Sequence, residues 1–365
     1  MAKLFSSFVS AAEIIGVGLD TIQLNRAFVN GYLYALGIYN GYGEGYPVRT
    51  EYSEVDGVPV VIYRPLTDRG LRPALVYFHG GGWVMARAWS QFSLHKHLAG
   101  ELDIIVISVD YRRAPVFRYP VPFEDCVRAT KYILAHGEKL GVHSTRVALA
   151  GDSAGGNLAA AVSAKLRDEK FTPRNKLQVL IYPALQACDL ATPSYQQQKF
   201  DRIVMAPEVM AWYWSIYVTG NHSLAEALLR GNHTSIKMKQ ELATGKLNHD
   251  LIPNHLKFAP YSVPDISHGS DVIWDSIREV FLDPYFAPLV ADDFTDLPST
   301  FVWTVQYDVL RDDGVLYVHH LRRAGNQVEH LHTEGGWHPM LELRFLHPQE
   351  DEAMLQIRRF IRQKL

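Results

Sequence analysis

The stretch Gly151-Asp152-Ser153-Ala154-Gly155-Gly156 carries the clearest chemistry in the sequence, a serine flanked on both sides by small residues. A strand-like run, 146–150, leads into it, and a helix-compatible run, 157–167, leads out. Strand, tight turn and helix in that order make a nucleophile elbow of the G-x-S-x-G type, in which the serine side chain projects from the turn. Glycines relieve the crowding of so sharp a turn, and the helix start offers unpaired N–H groups that favour developing negative charge. Composition alone yields the bare pattern about one time in ten, so the context carries the weight.

A second glycine cluster, His79-Gly80-Gly81-Gly82-Trp83, follows directly on the apolar run 74–78. Chance supplies it only about six times in a thousand. Successive glycines turn backbone N–H groups toward a reacting oxygen. Gly80, Gly81 and Gly82, with the N–H of Ala154, are therefore expected to form an oxyanion hole. His79 and Asp152 are expected to support the two motifs.

A serine nucleophile needs a base, and the base needs an orienting acid. Run 300–306 ends in Tyr307-Asp308-Val309-Leu310-Arg311-Asp312-Asp313, and run 328–332 ends in Thr333-Glu334-Gly335-Gly336-Trp337-His338. Both place ionisable groups at the carboxyl edge of the sheet, where open α/β sheets bind ligands. The order Ser153, Asp308, His338 is that of the α/β-hydrolases and differs from other serine hydrolases. Asp308 is preferred as the acid because it comes first after its strand. Asp312 and Asp313 begin a helix, where acids suit the dipole.

The remaining reactive side chains read more plainly. His330 and His332 alternate on a strand and share a face, but no third ligand is evident, so no metal is expected. His95 and His97, two apart on a helix, read as surface. Cys126 and Cys188 are too few for a disulfide framework and are expected as free thiols. Asn221-His222-Ser223 and Asn232-His233-Thr234 are glycosylation sequons, meaningful only in a secretory setting.

The elements that must position these groups are strands at 58–63, 74–78, 104–109, 146–150, 177–182, 300–306 and 328–332. They alternate with helices at 123–140, 154–167, 312–324 and 350–363. Ile104-Ile105-Val106-Ile107 is apolar on both faces. The pattern predicts an α/β fold, a mostly parallel central sheet flanked by helices. The interval 182–284 breaks the alternation and is too long for a structureless loop, which predicts an inserted, largely helical piece. Its best helix is 208–218, with Pro207 at the first helical position. The expected organisation is a single domain over 1–365, with a helical cap contributed by 1–45 and about 185–283.

The chain of 365 residues is 47% hydrophobic and 21% charged, enough for a core and unlike a disordered chain. Lys and Arg number 36 against 39 Asp and Glu, a net charge of −3 that leaves no footprint for nucleic acid. A bilayer span needs about 18 apolar residues in a row. Lys3, Glu13 and Asp20 leave uncharged runs of only 4–12 and 14–19. Phe5, Phe8, Ala12, Ile15, Leu19 and Ile22 predict an amphipathic helix instead. Packing on the body is its expected fate. Peripheral contact with a membrane, through this helix and the cap, is the alternative.

The two glycine motifs, together with Asp110-Tyr111-Arg112-Arg113-Ala114-Pro115 and 307–314, resemble the hormone-sensitive-lipase-like α/β-hydrolases. Within that family, Ile181-Tyr182-Pro183-Ala184-Leu185-Gln186 and Arg311-Asp312-Asp313-Gly314 look like the arylacetamide-deacetylase group. The likeness runs from about residue 58 to the C-terminus. It implies the α/β-hydrolase fold and a carboxylesterase or lipase that needs no cofactor, with Ser153 as nucleophile, His338 as base and Asp308 as its partner. It also implies a place at the endoplasmic-reticulum membrane, although the N-terminal span of that group is not read here. Pro339 stands where the family has a small residue. A non-catalytic receptor on the same fold is the competing reading, and the presence of His338 opposes it.

Met205, Met210, Trp212, Tyr213, Trp214 and Tyr217 crowd the inserted stretch. Most are expected to pack the cap onto the body and some to line an apolar pocket. No Arg or Lys cluster stands near the motifs to clamp a carboxylate. The expected partner is therefore a small, uncharged, apolar ester.

Overall fold

The structure, a computed structural model, describes residues 45–67, 69–198, 205–342 and 348–365. The expected N-terminal helix, and all but residue 45 of the N-terminal part of the expected cap, lie outside these residues.

The alternation read from the sequence is present. The strands are β1 (Val48–Val55), β2 (Val58–Pro65), β3 (Arg72–Phe78), β4 (Ile105–Val109), β5 (Val142–Asp152), β6 (Leu177–Ile181), β7 (Ser299–Tyr307) and β8 (Val328–Trp337). Between β3 and β6 lie α1 (Phe92–Leu102), α2 (Val121–His136) and α3 (Ala154–Asp168). The excursion from β6 to β7 holds α4 (Pro193–Gln197), α5 (Pro207–Thr219), α6 (Ala225–Leu229), α7 (Ile236–Thr244) and α8 (Asp271–Phe281). The chain closes with α9 (Arg311–Arg323) before β8 and α10 (Pro348–Lys364) after it.

The eight strands form one sheet in the order β1-β2-β4-β3-β5-β6-β7-β8. The pairs β1–β2 and β2–β4 are antiparallel and the other five are parallel. This is the α/β-hydrolase fold. Leu94 and Leu98 of α1 and Met354, Ile357 and Ile361 of α10 cover one face of the sheet. Residues of α2, α3 and α9, with α5 and α8 of the insertion, cover the other. Strand β1 was not anticipated, because its polar sequence suits an edge strand paired only with β2.

Two local features set up the site. In the parallel β7–β8 pair, Val305 lies opposite Thr333, but the next partners are Tyr307 and Trp337. The bulge, with Gly335 at φ +73° and its N–H donating to Gln306 Oε1, extends β8 beyond the expected end at His332. Asp308 and His338 thus leave adjacent strands side by side. The second feature is α5, whose Tyr217 ring stacks on Trp83 with centroids 4.4 Å apart, while Trp214 tilts against the same indole.

Two expectations need correction. His95 and His97 are buried, not surface residues. His95 sits between the rings of Tyr77 and Tyr63, and the Arg358 guanidinium of α10 donates to His97 Nε2. That helix arrives from the far end of the chain, so local spacing could not reveal its cover. Cys126 and Cys188 are buried free thiols, both pushed up by burial, Cys188 to about 12. Among the described residues no helix is long and apolar enough to cross a membrane.

Burial pushes His79 and His95 down to about 3 and His233 down to about 4. In the unfolded chain each takes up a proton near pH 6.5, whereas the folded protein keeps all three neutral to far lower pH. Stability is therefore fully present above about pH 6.5 and is lost as pH falls, by about 1.4 kcal/mol per pH unit for each histidine. Urea unfolding at pH 7 and pH 5 should register this loss, and His95→Phe should reduce it by the share of one histidine. An undiminished pH dependence in that variant would contradict a neutral, buried His95.

Candidate active site

The elbow is held by crowding. A Cβ on Gly155 would lie 1.9 Å from the carbonyl oxygen of Phe78, so α3 starts directly against the end of β3 with room for hydrogen only. Ser153 itself adopts φ 54° and ψ −119°, a conformation that costs a non-glycine residue about 1–3 kcal/mol. Its N–H donates to Ile181 O at 2.9 Å, and its carbonyl accepts from Asn157 N and Ala184 N. Those bonds hold the strained turn in place. The N–H of Ala154, at the start of α3, has no hydrogen-bond partner among the described residues.

Gly81 and Gly82 take φ +101° and +60° in the neighbouring loop. The Gly81 carbonyl accepts from Val84 N and Met85 N, which fixes the turn. Its own N–H and that of Gly82 have no partner among the described residues. Gly80 differs from the expectation. Its N–H donates to Asp152 Oδ1 at 3.0 Å, so it is not available to a reacting oxygen. The same carboxylate oxygen accepts from Tyr77 Oη at 2.9 Å and Gln91 Nε2 at 3.2 Å. Burial raises the Asp152 pKa, while these bonds and the nearby His338 oppose the rise. Asp152 therefore ties the glycine loop to the elbow.

His79 braces the loop from its other side. Its Nδ1 is 2.8 Å from Gly80 O, and because a carbonyl only accepts, the ring proton sits on Nδ1. The ring stacks on Tyr111 with centroids 4.2 Å apart, and Tyr111 Oη donates to His79 O at 2.7 Å. Arg112 in turn grips buried Asp125 through two parallel bonds of 2.9 and 2.8 Å.

Across the sheet edge, His338 Nδ1 is 3.0 Å from Asp308 Oδ2, and both side chains are buried. The other carboxylate oxygen accepts from Leu310 N at 2.9 Å. An ionised carboxylate only accepts, so Nδ1 carries the proton and Nε2 is left with a lone pair. Asp152 lies close enough to His338 to be influenced by its charge, and the Tyr182 ring packs at 4.5 Å between centroids. The Ser153 hydroxyl makes no hydrogen bond to a described residue; such contacts are often formed only with substrate present.

The competing carboxylates serve elsewhere. Asp312 accepts from Ser194 N and Arg311 Nε, and Asp313 accepts from Leu185 N, Gln186 N and Gln186 Nε2. Burial pushes Asp313 up to about 8. His330 and His332 do share a face, and both rings hydrogen-bond Thr304 Oγ1 at 2.9 Å.

Sequence reasoning missed Tyr77 and Gln91 as parts of this neighbourhood, and named Tyr213 only as one of several aromatics that pack the cap or line a pocket. The Tyr213 ring rests so closely on Gly82 that a Cβ there would lie 2.3 Å from its Cγ. The aromatic richness of 205–217 was visible, but its contact with the glycine loop was not. Tyr111 lies within a motif already noted, so its position at least was marked.

A strained serine, an imidazole aligned by a buried carboxylate and three N–H groups without a partner among the described residues are the parts that acyl transfer requires. Comparison with known proteins agrees in kind. The model of the Abhydrolase_3 family, described as an alpha/beta hydrolase fold, matches residues 75–241 and 261–342. Arylacetamide deacetylase of Oryctolagus cuniculus is 41% identical over 295 residues, which cover 78% of this chain and 73% of the relative. Neutral cholesterol ester hydrolase 1 of Bos taurus is 36% identical, over 80% of this chain and 73% of that protein. Among solved structures, an esterase of Pyrobaculum calidifontis superposes with a TM-score of 0.71 at 27% identity, covering 94% of this chain and 92% of the other. A thermostable carboxylesterase cloned from a metagenomic library gives 0.72 at 26%, covering 94% and 97%.

Asp152→Ala should leave the Gly80 N–H without its carboxylate and destabilise the fold by about 1–3 kcal/mol in denaturant unfolding. Asp152→Asn keeps an acceptor oxygen and should recover most of that loss. Equal losses in the two variants would contradict the tethering of the glycine loop.

Proposed function

The chain belongs to the hormone-sensitive-lipase-like α/β-hydrolases, a family of carboxylic ester hydrolases, and from that footing we propose that it works through an acyl-enzyme on Ser153. The observation that carries the reading is the 3.0 Å contact between Asp308 and His338 at the ends of adjacent strands. In this reading Ser153 Oγ attacks the ester carbonyl while His338 Nε2 takes its proton. Asp308 stabilises the imidazolium that forms. Charge developing on the carbonyl oxygen is met by the N–H groups of Gly81, Gly82 and Ala154. Collapse of the tetrahedral intermediate expels the alcohol, which receives the proton held by His338. Water then repeats the sequence and releases the acid. No step calls for a metal or an organic cofactor.

The insertion between β6 and β7 acts as a cap in this proposal. Its α5 supplies the Tyr213 ring against Gly82 and the Tyr217 ring against Trp83. Such a roof excludes water from the oxyanion and presents apolar surface to the substrate. The proposed substrate is a small, uncharged, apolar ester. An aryl amide is within reach of the same chemistry, and the name of the deacetylase relative is consistent with one.

Ser153→Ala should lower ester turnover by about 10⁴-fold or more with folding retained. Labelling by a fluorophosphonate should disappear in the same variant; labelling of another residue at wild-type rate would overturn the nucleophile assignment. Across a series of acyl chains, each added methylene should raise kcat/KM by at most about fourfold until the pocket is full. A matched anionic ester should be the poorer substrate. Preference for the anion, or indifference to chain length, would count against an apolar pocket.

A further inference from the structure

Arg311 is wholly buried, and apart from its neighbour Asp312 its polar partners belong to the insertion. Nε donates to Asp312 Oδ1 at 2.8 Å, Nη1 to Gln197 Oε1 at 2.9 Å and Nη2 to Leu256 O at 2.9 Å. The guanidinium also lies 5.9 Å from the centre of the Phe258 ring. Gln197 extends the link, because its Nε2 donates to the carbonyls of Leu256 and Phe258. Beside this cluster, Ser194 Oγ donates to Val309 O and Ser194 N to Asp312 Oδ2, each at 2.6 Å.

These contacts converge on one turn. Val309 follows Asp308 directly, and Arg311 N donates to Asp308 O at 3.2 Å. From within, the turn is fixed by Leu310 N on Asp308 Oδ1. From outside, apart from His338 on Asp308 Oδ2, the polar partners that grip it belong to the insertion, among the described residues. Desolvating a guanidinium and a carboxylate is costly, and a well-packed apolar pair is often as stable or more so. What the polar cluster adds is direction: a planar fork reaching three acceptors admits one placement of the segments it joins.

We propose that Arg311 and Ser194 are positioning residues for Asp308, through which the insertion holds the acid-bearing turn in register with His338. The proposal rests on the reading of Asp308 as the acid. A misplacement of about 1 Å at a reacting group can cost about 100-fold in rate. The loss should fall on kcat, since both side chains are wholly buried and act through the Asp308 turn.

The test compares Ser194→Ala, Arg311→Lys and Arg311→Met with Asp308→Asn. p-Nitrophenyl acetate serves as substrate, and rates are normalised to sites titrated to completion with a fluorophosphonate. Ser194→Ala should lose about tenfold in kcat with KM within about twofold, and the arginine variants should lose about 10–100-fold. The ring of His338 meets Asp308 and the Tyr182 ring, and Asp152 is the other charged group within electrostatic reach. With Asp308 less well aligned, its imidazolium is less stabilised, so the acidic limb of the kcat/KM profile should move to lower pH. A purely structural role would lower the folded fraction without moving that limb or the per-site kcat. Should Asp308→Asn keep full activity, the underlying reading fails. Should it be crippled while Ser194→Ala and Arg311→Lys match the unsubstituted protein per site, the positioning role alone fails.

Discussion

The arrangement depends first on a close approach between backbone atoms. The carbonyl oxygen of Phe78 ends β3 where the Cβ of any residue but glycine at 155 would have to sit. That contact brings the start of α3 against the glycine loop, the two places that carry the N–H groups of Gly81, Gly82 and Ala154, which have no partner among the described residues. It also explains why two distant glycine motifs occur together. Each is half of one junction, and neither half tolerates a side chain at its tightest point.

The second half of the site obeys a different constraint, the pairing of β7 and β8. A bulge places Tyr307 opposite Trp337, and the next residue on each strand is an ionisable one. Burial makes that pair demanding, since a buried carboxylate must have its lone pairs satisfied. Leu310 N and His338 Nδ1 satisfy Asp308. Beyond it, buried Arg311, Asp312 and Asp313 are satisfied largely by the insertion. The piece that interrupts the α/β alternation is thus bound into the same polar layer as Asp308.

Much of this was legible in the sequence, for physical reasons that differ from place to place. Strands apolar on both faces announced the sheet, and the glycine motifs announced the tightest turns, because sterics leave few alternatives at either. Asp308 and His338 were legible as strand-end residues. Gly80 was misread as an oxyanion donor, since nothing local tells which of three successive glycines gives its N–H to Asp152. His95 was misread because its cover comes from Tyr63 and Tyr77 on separate strands. Strand β1 lacked the apolar pattern altogether, being an edge. For Gly80 and His95 the missing information was a contact distant in sequence.

In the proposed mechanism one serine, one imidazole–carboxylate pair and three N–H groups act on a single carbonyl. A crystal structure of the chain after reaction with a small alkyl fluorophosphonate tests it most directly. Phosphorus should be bonded to Ser153 Oγ, with its phosphoryl oxygen within about 3 Å of the nitrogens of Gly81, Gly82 and Ala154. Gly80 N should remain on Asp152. An adduct on any other residue, or a phosphoryl oxygen turned away from those three N–H groups, would contradict it.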